Sequence, residues 1–166
     1  MRERTFNWDD PQALASAVRQ VSGLDFLRGI SEGKFPAPPV MQMLGADRPD
    51  VNDIQEGQVI FPFRPQEFHF NPIGSVHGGV YATMLDTVMA CAVHTLLPAG
   101  TGYTTLDINI KYLRPLSLNG EGVKAIGKVI SINKSTALAE GQIVDAEGQI
   151  YAHGTSTCMI FRPKGG

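Results

Sequence analysis

A carboxylate stands on an apolar face of the longest helical pattern in the sequence. The neighbours of Asp86 at helical spacings, residues 79, 82, 83, 89, 90 and 93, are all small or apolar. Desolvating an ionised carboxylate is costly unless it is paired, so such a residue serves a specific hydrogen bond or chemistry. A helix-dipole role does not fit, because Asp86 lies well beyond the first turn. Asp86 is therefore the first candidate for a residue that takes part in chemistry, and a hydrogen bond specific to the fold is the other explanation.

A glycine-rich segment leads into the same helix. It contains Asn71, Gly74, His77, Gly78 and Gly79. Glycines at a helix start let a ligand approach the free backbone N–H groups, whose partial positive charge can hold an oxyanion or a carbonyl oxygen. Tight packing is the other explanation for glycines at these positions. The segment is thus a second candidate site element, and it supplies hydrogen-bond donors.

The distance between these two candidates constrains how they act. At about 1.5 Å rise per residue, Asp86 lies about 12 Å along the helix from Gly78. One reacting carbonyl must sit about 3 Å from both its nucleophile and its hydrogen-bond donor. If Asp86 and Gly78 act on the same carbonyl, they must come from different chains, and an oligomer is part of the mechanism.

Hydrophobic periodicity predicts the elements that position these residues. It indicates a helix over residues 11–30, a short helical turn over 40–44 after a proline-rich brace, and the long helix over 77–97. Two short strands are predicted before the long helix, at 58–64 and 67–71, and four after it, at 103–113, 122–132, 136–144 and 149–161. A long helix followed by an uninterrupted run of strands predicts an α+β fold, with an antiparallel sheet packed on the helix.

The composition excludes several classes of protein. The 166 residues are 43% hydrophobic and carry a net charge of −2, which suits one globular domain without an overall basic field for nucleic acid or an anionic membrane. Neither a secretory signal nor a membrane span is predicted. The two cysteines, Cys91 and Cys158, are expected to be free thiols, and we expect a cytoplasmic protein. The four histidines lack metal-ligand spacing, so no metal site is expected.

Two further patterns resemble catalytic or nucleotide-binding motifs, but a structural thiol and an ordinary β-strand explain them better. Cys91 and His94 lie three residues apart on the long helix, but Cys91 is far from the helix N-terminus that would activate a thiol. Residues 122–129 nearly match a phosphate-binding loop, yet Val129 replaces the hydroxyl needed for magnesium and the run alternates like a strand. We therefore expect neither a cysteine nucleophile nor nucleotide hydrolysis.

The glycine-rich segment and Asp86 together resemble a known signature. Asn71, Gly74, the His-Gly-Gly at 77–79 and Asp86, nine residues after the histidine, are similar to the hotdog-fold acyl-CoA thioesterases of the PaaI-like group. The resemblance continues through residues 102–107, 111–115 and 152–155 and covers roughly residues 55–161. It implies a hotdog thioesterase domain over 51–166, an antiparallel sheet wrapped around one long helix, preceded by an N-terminal helical extension over 1–50.

The resemblance also implies roles for individual residues. Asp86 attacks the thioester carbonyl or activates the water that does, the Gly78 N–H polarises the carbonyl, and Asn71 and His77 position the attacking group and the loop. Gly79 belongs to the same substrate-binding helix entry. The expected catalytic unit is a homodimer, pairing again into a homotetramer, with acyl-CoA as substrate and no separate cofactor.

A serine or threonine in the strand after the helix assists the water in that family. Thr105 is the nearest match, and Thr104 is the alternative because the preceding loop is one residue longer than in relatives. Strict alternation, however, places Thr105 on a polar face with Asp107, Asn109 and Lys111, which would put it at the surface.

Coenzyme A carries phosphates, and several cations are candidates to bind them. Arg114 is the preferred one, in a stretch that also holds Lys111, Lys124, Lys128 and Lys134. Lysines on exposed strands also keep sheet edges soluble, which is the simpler explanation for any one of them.

Two other functions share this fold. One is hydration or dehydration of an enoyl thioester, which would need a histidine paired with an acid on the helix, whereas His77 lies at the helix entry. The other is a non-catalytic acyl-CoA-binding module. Release of free thiol separates hydrolysis from both, and the sequence leaves the acyl group open.

Overall fold

The helices and strands are those of a computed structural model that describes residues 1–118 and 122–162. Its α-helices are α1 (Pro11–Ala17), α2 (Gly23–Ser31), α3 (Pro39–Leu44) and α4 (Gly78–His94). Its strands are β1 (Ile54–Gln55), β2 (Gln58–Phe63), β3 (Gly102–Tyr112), β4 (Val123–Ile132), β5 (Thr136–Val144) and β6 (Ile150–Phe161). The long helix and the four strands after it lie within three residues of the predicted bounds.

The strands form one antiparallel sheet that packs on α4. The strand order is β1-β2-β4-β5-β6-β3, so β3 and the very short β1 are the edges. The sheet-facing side of α4 is fully buried, through Met84, Leu85, Val88 and Met89 among others. Helix and sheet are very close at Gly127 of β4, where a Cβ would lie 2.1 Å from the Val88 carbonyl oxygen. The predicted α+β hotdog architecture is confirmed.

The N-terminal extension is helical, as predicted, but residues 11–30 form two helices rather than one. The Ser22 hydroxyl accepts a hydrogen bond from the Asp25 N–H and starts α2 anew. The Gly23 N–H donates to the Leu97 carbonyl at 3.0 Å, and a Cβ on Gly23 would lie 1.9 Å from the His94 carbonyl oxygen. Contact with the end of α4 therefore requires the break that apolar spacing alone did not reveal.

The strand predicted at residues 67–71 is wrong. A 3-10 helix occupies Glu67–His69, because the buried His69 ring accepts a hydrogen bond from the Gln66 N–H at Nδ1. Its Nε2 lies 2.9 Å from the Leu44 carbonyl oxygen. These two contacts hold a tight turn where an alternating pattern suggested extended chain.

The predicted boundary between residues 50 and 51 stays a prediction, and residues 163–166 of the predicted domain lie outside the described residues. Phe26, Leu27 and Ile30 of α2 share one hydrophobic core with α4 and the sheet. Among the described residues, no helix is both long enough and apolar enough to cross a membrane.

Candidate active site

Asp86 lies half-buried in the middle of α4 and faces the start of β3. The Thr105 hydroxyl donates a 2.9 Å hydrogen bond to the Asp86 carboxylate oxygen Oδ1. The surrounding side chains bury the carboxylate partly, which strengthens its electrostatic interactions relative to those of an exposed group. The helix and the edge strand thus combine a carboxylate and a hydroxyl in one small polar site.

A β-bulge brings Thr105 to the helix-facing side of the sheet. Thr105 pairs with Cys158 of β6, and Asp107 pairs with the next residue, Thr157, so Leu106 is an extra residue without a partner. Each extra residue reverses which face the following side chains occupy. The expectation from strict alternation that Thr105 lies at the surface is therefore wrong, whereas Thr104 is exposed.

Asn71 braces the loop that enters α4. Its side-chain Oδ1 accepts hydrogen bonds from the N–H groups of Ile73 (3.0 Å) and Ser75 (3.2 Å), and its Nδ2 donates to the Ser75 hydroxyl. Gly74, at φ +83°, provides the left-handed residue in this turn. Asn71 thus holds the loop by its own hydrogen bonds, and its role towards an attacking group stays a prediction.

His77 caps α4. Its Nδ1 accepts a 2.9 Å hydrogen bond from the Gly79 N–H, so that amide is occupied. Within residues 1–118 and 122–162, the Gly78 N–H donates no hydrogen bond. Gly78 is therefore the available donor at this helix start, and His77 is far along the helix from Asp86. A ligand-binding role for Gly79 stays a prediction.

An open cavity joins the start of α4 to the segment after β3. It has a volume of about 280 Å³, and Gly78, Tyr81, Tyr112 and Arg114 line it. The exposed Arg114 side chain donates one hydrogen bond, from Nη1 to the Ile150 carbonyl at 2.9 Å. The structure thus brings the predicted Gly78 and Arg114 to one cavity.

Two tyrosines that the sequence analysis did not identify support this cavity. The Tyr81 hydroxyl accepts from the Leu116 N–H at 2.6 Å and donates to the Arg114 carbonyl at 3.1 Å. The Tyr112 hydroxyl donates to the Gly78 carbonyl at 3.3 Å. The sequence did give an indication of Tyr81, which lies within the first turn of the helix. A tyrosine buried there is expected to form a hydrogen bond through its hydroxyl.

Cys91 and His94 do not form a catalytic pair. Burial, with a smaller effect from the Asp86 charge, raises the pKa of the Cys91 thiol to about 12. Burial lowers the pKa of His94 to about 4. A thiol so hard to ionise is a poor nucleophile. The near match to a phosphate-binding loop lies in β4, and the described residues contain no group of three or more metal-ligating side chains.

Known proteins share both the sequence pattern and the fold. The sequence profile of the Thioesterase superfamily matches residues 73–152, which include the start of α4, Asp86 and Thr105. Acyl-coenzyme A thioesterase 13 of Homo sapiens is 31% identical over 102 residues, covering 61% of this chain and 71% of the human protein.

Solved structures agree with this match. A thioesterase-type, phenylacetic acid degradation-related protein from Ralstonia eutropha JMP134 is 26% identical, with a TM-score of 0.68 over 80% of this chain and 98% of that one. The PaaI protein of E. coli is 20% identical, with a TM-score of 0.69 over 86% of this chain and 96% of its own. The chain therefore belongs to the hotdog-fold thioesterase superfamily, is similar in fold to its PaaI-like members, and is a thioester hydrolase.

Proposed function

We propose that this protein hydrolyses acyl-CoA thioesters, with Asp86 as nucleophile or general base. The observation that carries the proposal is the half-buried Asp86 carboxylate, held by the Thr105 hydroxyl on the helix that begins at Gly78. The name of the human relative supports acyl-CoA as the substrate. Coenzyme A is part of that substrate, and the proposal includes no further cofactor.

Either role of Asp86 gives a balanced reaction. As a base, it takes a proton from water while the water oxygen attacks the carbonyl carbon. The C–S bond then breaks, and the proton passes from Asp86 to the leaving thiolate, which frees the coenzyme A thiol and restores the carboxylate. As a nucleophile, its oxygen attacks the carbonyl carbon directly, and the C–S bond breaks to release the coenzyme A thiolate. Water then hydrolyses the acyl-carboxylate anhydride to the free acid and the Asp86 carboxylate, and the proton released by the water neutralises the thiolate. Thr105 orients the carboxylate oxygen in both cases.

The second part of the proposal is a site shared by two chains. Gly78 and Asp86 lie about 12 Å apart along one straight helix, so the Gly78 N–H that polarises the carbonyl would come from a second copy. The edge strand β3 supports this arrangement, because it pairs within the described residues with β6 alone and exposes Leu106, Ile108 and Tyr112. We propose a homodimer as the catalytic unit and a dimer of dimers as the assembly.

The cavity beside Gly78 would receive the coenzyme A arm. Arg114 is the cation at its rim, and guanidinium groups bind phosphate well. The exposed Thr104 and the helix-start residue Gly79 are proposed to lie along the substrate path. Asn71 and His77 would keep the loop and the helix start in place.

Thiol release by the Asp86→Asn variant tests the proposal. This change keeps the volume but removes the charge and basicity, so kcat should fall by about 10²–10⁴ with a much smaller change in KM. The matched control is Asp107→Asn, an exposed carboxylate on β3, which should stay within about twofold of wild type.

The same assay separates the two other functions that the fold allows. An enoyl-thioester hydratase would consume substrate without releasing thiol, and a binding module would bind acyl-CoA without turnover. Near-normal kcat in correctly folded Asp86→Asn would contradict the role of Asp86 but not the hydrolase activity itself.

A further inference from the structure

A small apolar cavity lies between the N-terminal extension and α4. We call it the extension cavity. It has a volume of about 60 Å³, and its lining includes Leu27, Ile30, Met41, Phe61, Thr87 and Cys91. The extension provides the first three of these side chains, β2 provides Phe61, and α4 provides the last two. The extension therefore forms one wall of a cavity whose opposite wall is the helix that carries Asp86.

Met41 of α3 closes the cavity against α4. Its side chain is buried, with 6% exposure, and its Sδ lies 3.9 Å from the Thr87 hydroxyl. That hydroxyl donates a 2.7 Å hydrogen bond to the Thr83 carbonyl, so its proton is already used within α4. Asp47 and Arg48 also line the cavity, and Arg48 donates a hydrogen bond to a backbone carbonyl of α2, but most of the lining is apolar, so a buried polar group would lose binding free energy. The cavity thus suits an apolar group.

The extension cavity lies next to the proposed reaction centre. Thr87 directly follows Asp86 in α4, and Cys91 lies about 7.5 Å further along the helix than Asp86. The Asp86 charge contributes to raising the pKa of the Cys91 thiol, which is consistent with a short separation. Two of the residues that line the cavity, Thr87 and Cys91, are thus within the length of a short acyl chain from Asp86.

We propose that the extension cavity binds the end of the substrate's acyl chain, and that Met41 sets the length of chain accepted. This inference rests on the proposed acyl-CoA hydrolysis. A cavity of about 150 Å³ is the size that holds a benzene ring, and this cavity is less than half as large. The substrate class is therefore short, unbranched aliphatic acyl-CoA rather than aryl-acyl-CoA.

A chain-length series on the full-length protein tests the inference. We would measure kcat/KM for acetyl-, butanoyl-, hexanoyl-, octanoyl- and phenylacetyl-CoA. Met41→Ala should raise the octanoyl-to-butanoyl ratio about tenfold, because it opens room for further methylenes. Ala46→Leu, on the cavity wall, should lower the hexanoyl-to-acetyl ratio about tenfold. Met43→Ala is the control, since Met43 lies on the same helix with 47% exposure, and its ratios should stay within about twofold of wild type.

The outcomes separate this inference from the function on which it rests. If the wild-type protein releases no thiol from any of these substrates, both fail. If it hydrolyses them, but Met41→Ala and Ala46→Leu keep the wild-type ratios, or phenylacetyl-CoA is preferred to butanoyl-CoA, the cavity assignment alone is overturned. Thermal unfolding checks that each variant is folded, and Ala46→Leu decides the question if Met41→Ala does not fold.

Discussion

The Thr105 hydroxyl donates a hydrogen bond to the Asp86 carboxylate and so links the edge strand β3 to the middle of α4. A carboxylate side chain rotates readily about two bonds, and a fixed donor restricts which oxygen faces the substrate. Charge-assisted hydrogen bonds of this kind are stronger than neutral ones. The strand therefore orients a group that the helix carries.

This contact predicts a sharp difference between two adjacent threonines. Thr105→Val removes the donor at nearly constant volume, and we expect kcat to fall by about tenfold or more. Thr105→Ser retains the hydroxyl and should restore most of the rate. Thr104→Val changes an exposed side chain on the proposed substrate path, so it can alter KM but should leave kcat within about twofold of wild type. Equal losses in the Thr104 and Thr105 valine variants would contradict the assigned orientation.

Arg114 provides a test of the proposed coenzyme A site. Arg114→Ala removes the cation at the rim of the cavity and should raise KM for acyl-CoA while kcat changes little. A short pantetheine thioester, which lacks the nucleotide phosphates, should be affected much less. Steady-state kinetics with both substrates measures the difference, and the same increase in KM for both would show that Arg114 does not bind phosphate.

Subunit mixing tests the site shared by two chains. One inactive variant carries Asp86→Ala, and the other carries Asn71→Ala with Gly78→Leu, whose side chain would press on Tyr112. After reversible dissociation and random pairing, half of the dimers are hybrids with one intact site of two. Thioester hydrolysis should then recover to about a quarter of wild type.

Mass spectrometry confirms the exchange in that experiment, and each parent alone is the control. Hybrids that form without regaining activity would place Asp86 and Gly78 in the same chain's site. That result would overturn the role given to the Gly78 amide, or the straight-helix geometry behind it.

His94 predicts a loss of stability in mild acid. Burial lowers its pKa from the ordinary 6.5 to about 4, so between these pH values the unfolded chain binds more protons than the folded one. The free energy of unfolding should therefore fall as pH drops from about 6.5 to about 4, by about 3 kcal/mol in total.

Urea denaturation at several pH values measures this effect. Burial also lowers the pKa of His69, which adds to the loss in the same direction. His94→Phe removes one of the two groups and should reduce the slope of stability against pH without abolishing it. An unchanged slope in that variant would mean that His94 does not titrate as its burial requires.

The long helix and the four strands after it could be predicted from the spacing of their apolar residues and from the turn residues between them. The break before Gly23 could not, because it depends on contact with the His94 carbonyl, far away in sequence. The turn at residues 67–69 likewise depends on the His69 ring reaching the Leu44 carbonyl.

The candidate site shows the same division. Asp86 and the helix entry are local patterns, so the sequence could place both on one long helix, where the structure also has them. The position of Thr105 was not, because one unpaired residue, Leu106, reverses the alternation on which the expectation depended. The position of Tyr81 was visible in the sequence, but the hydroxyl partners of Tyr81 and Tyr112 could not be predicted, because tertiary structure sets them.

The bulge at Leu106 also bears on how this sheet avoids uncontrolled growth. Exposed strand edges invite other chains to add to them, and such addition is the first step of fibrous aggregation. One edge of this sheet, β1, is two residues long, and the opposite edge, β3, is interrupted by the bulge. The bulge divides the backbone N–H and C=O groups of β3 into two short runs. An incoming strand can form hydrogen bonds along the whole edge only if it has a compatible bulge at the same position. The residue that turns Thr105 towards Asp86 thereby also protects the chain against indiscriminate polymerisation.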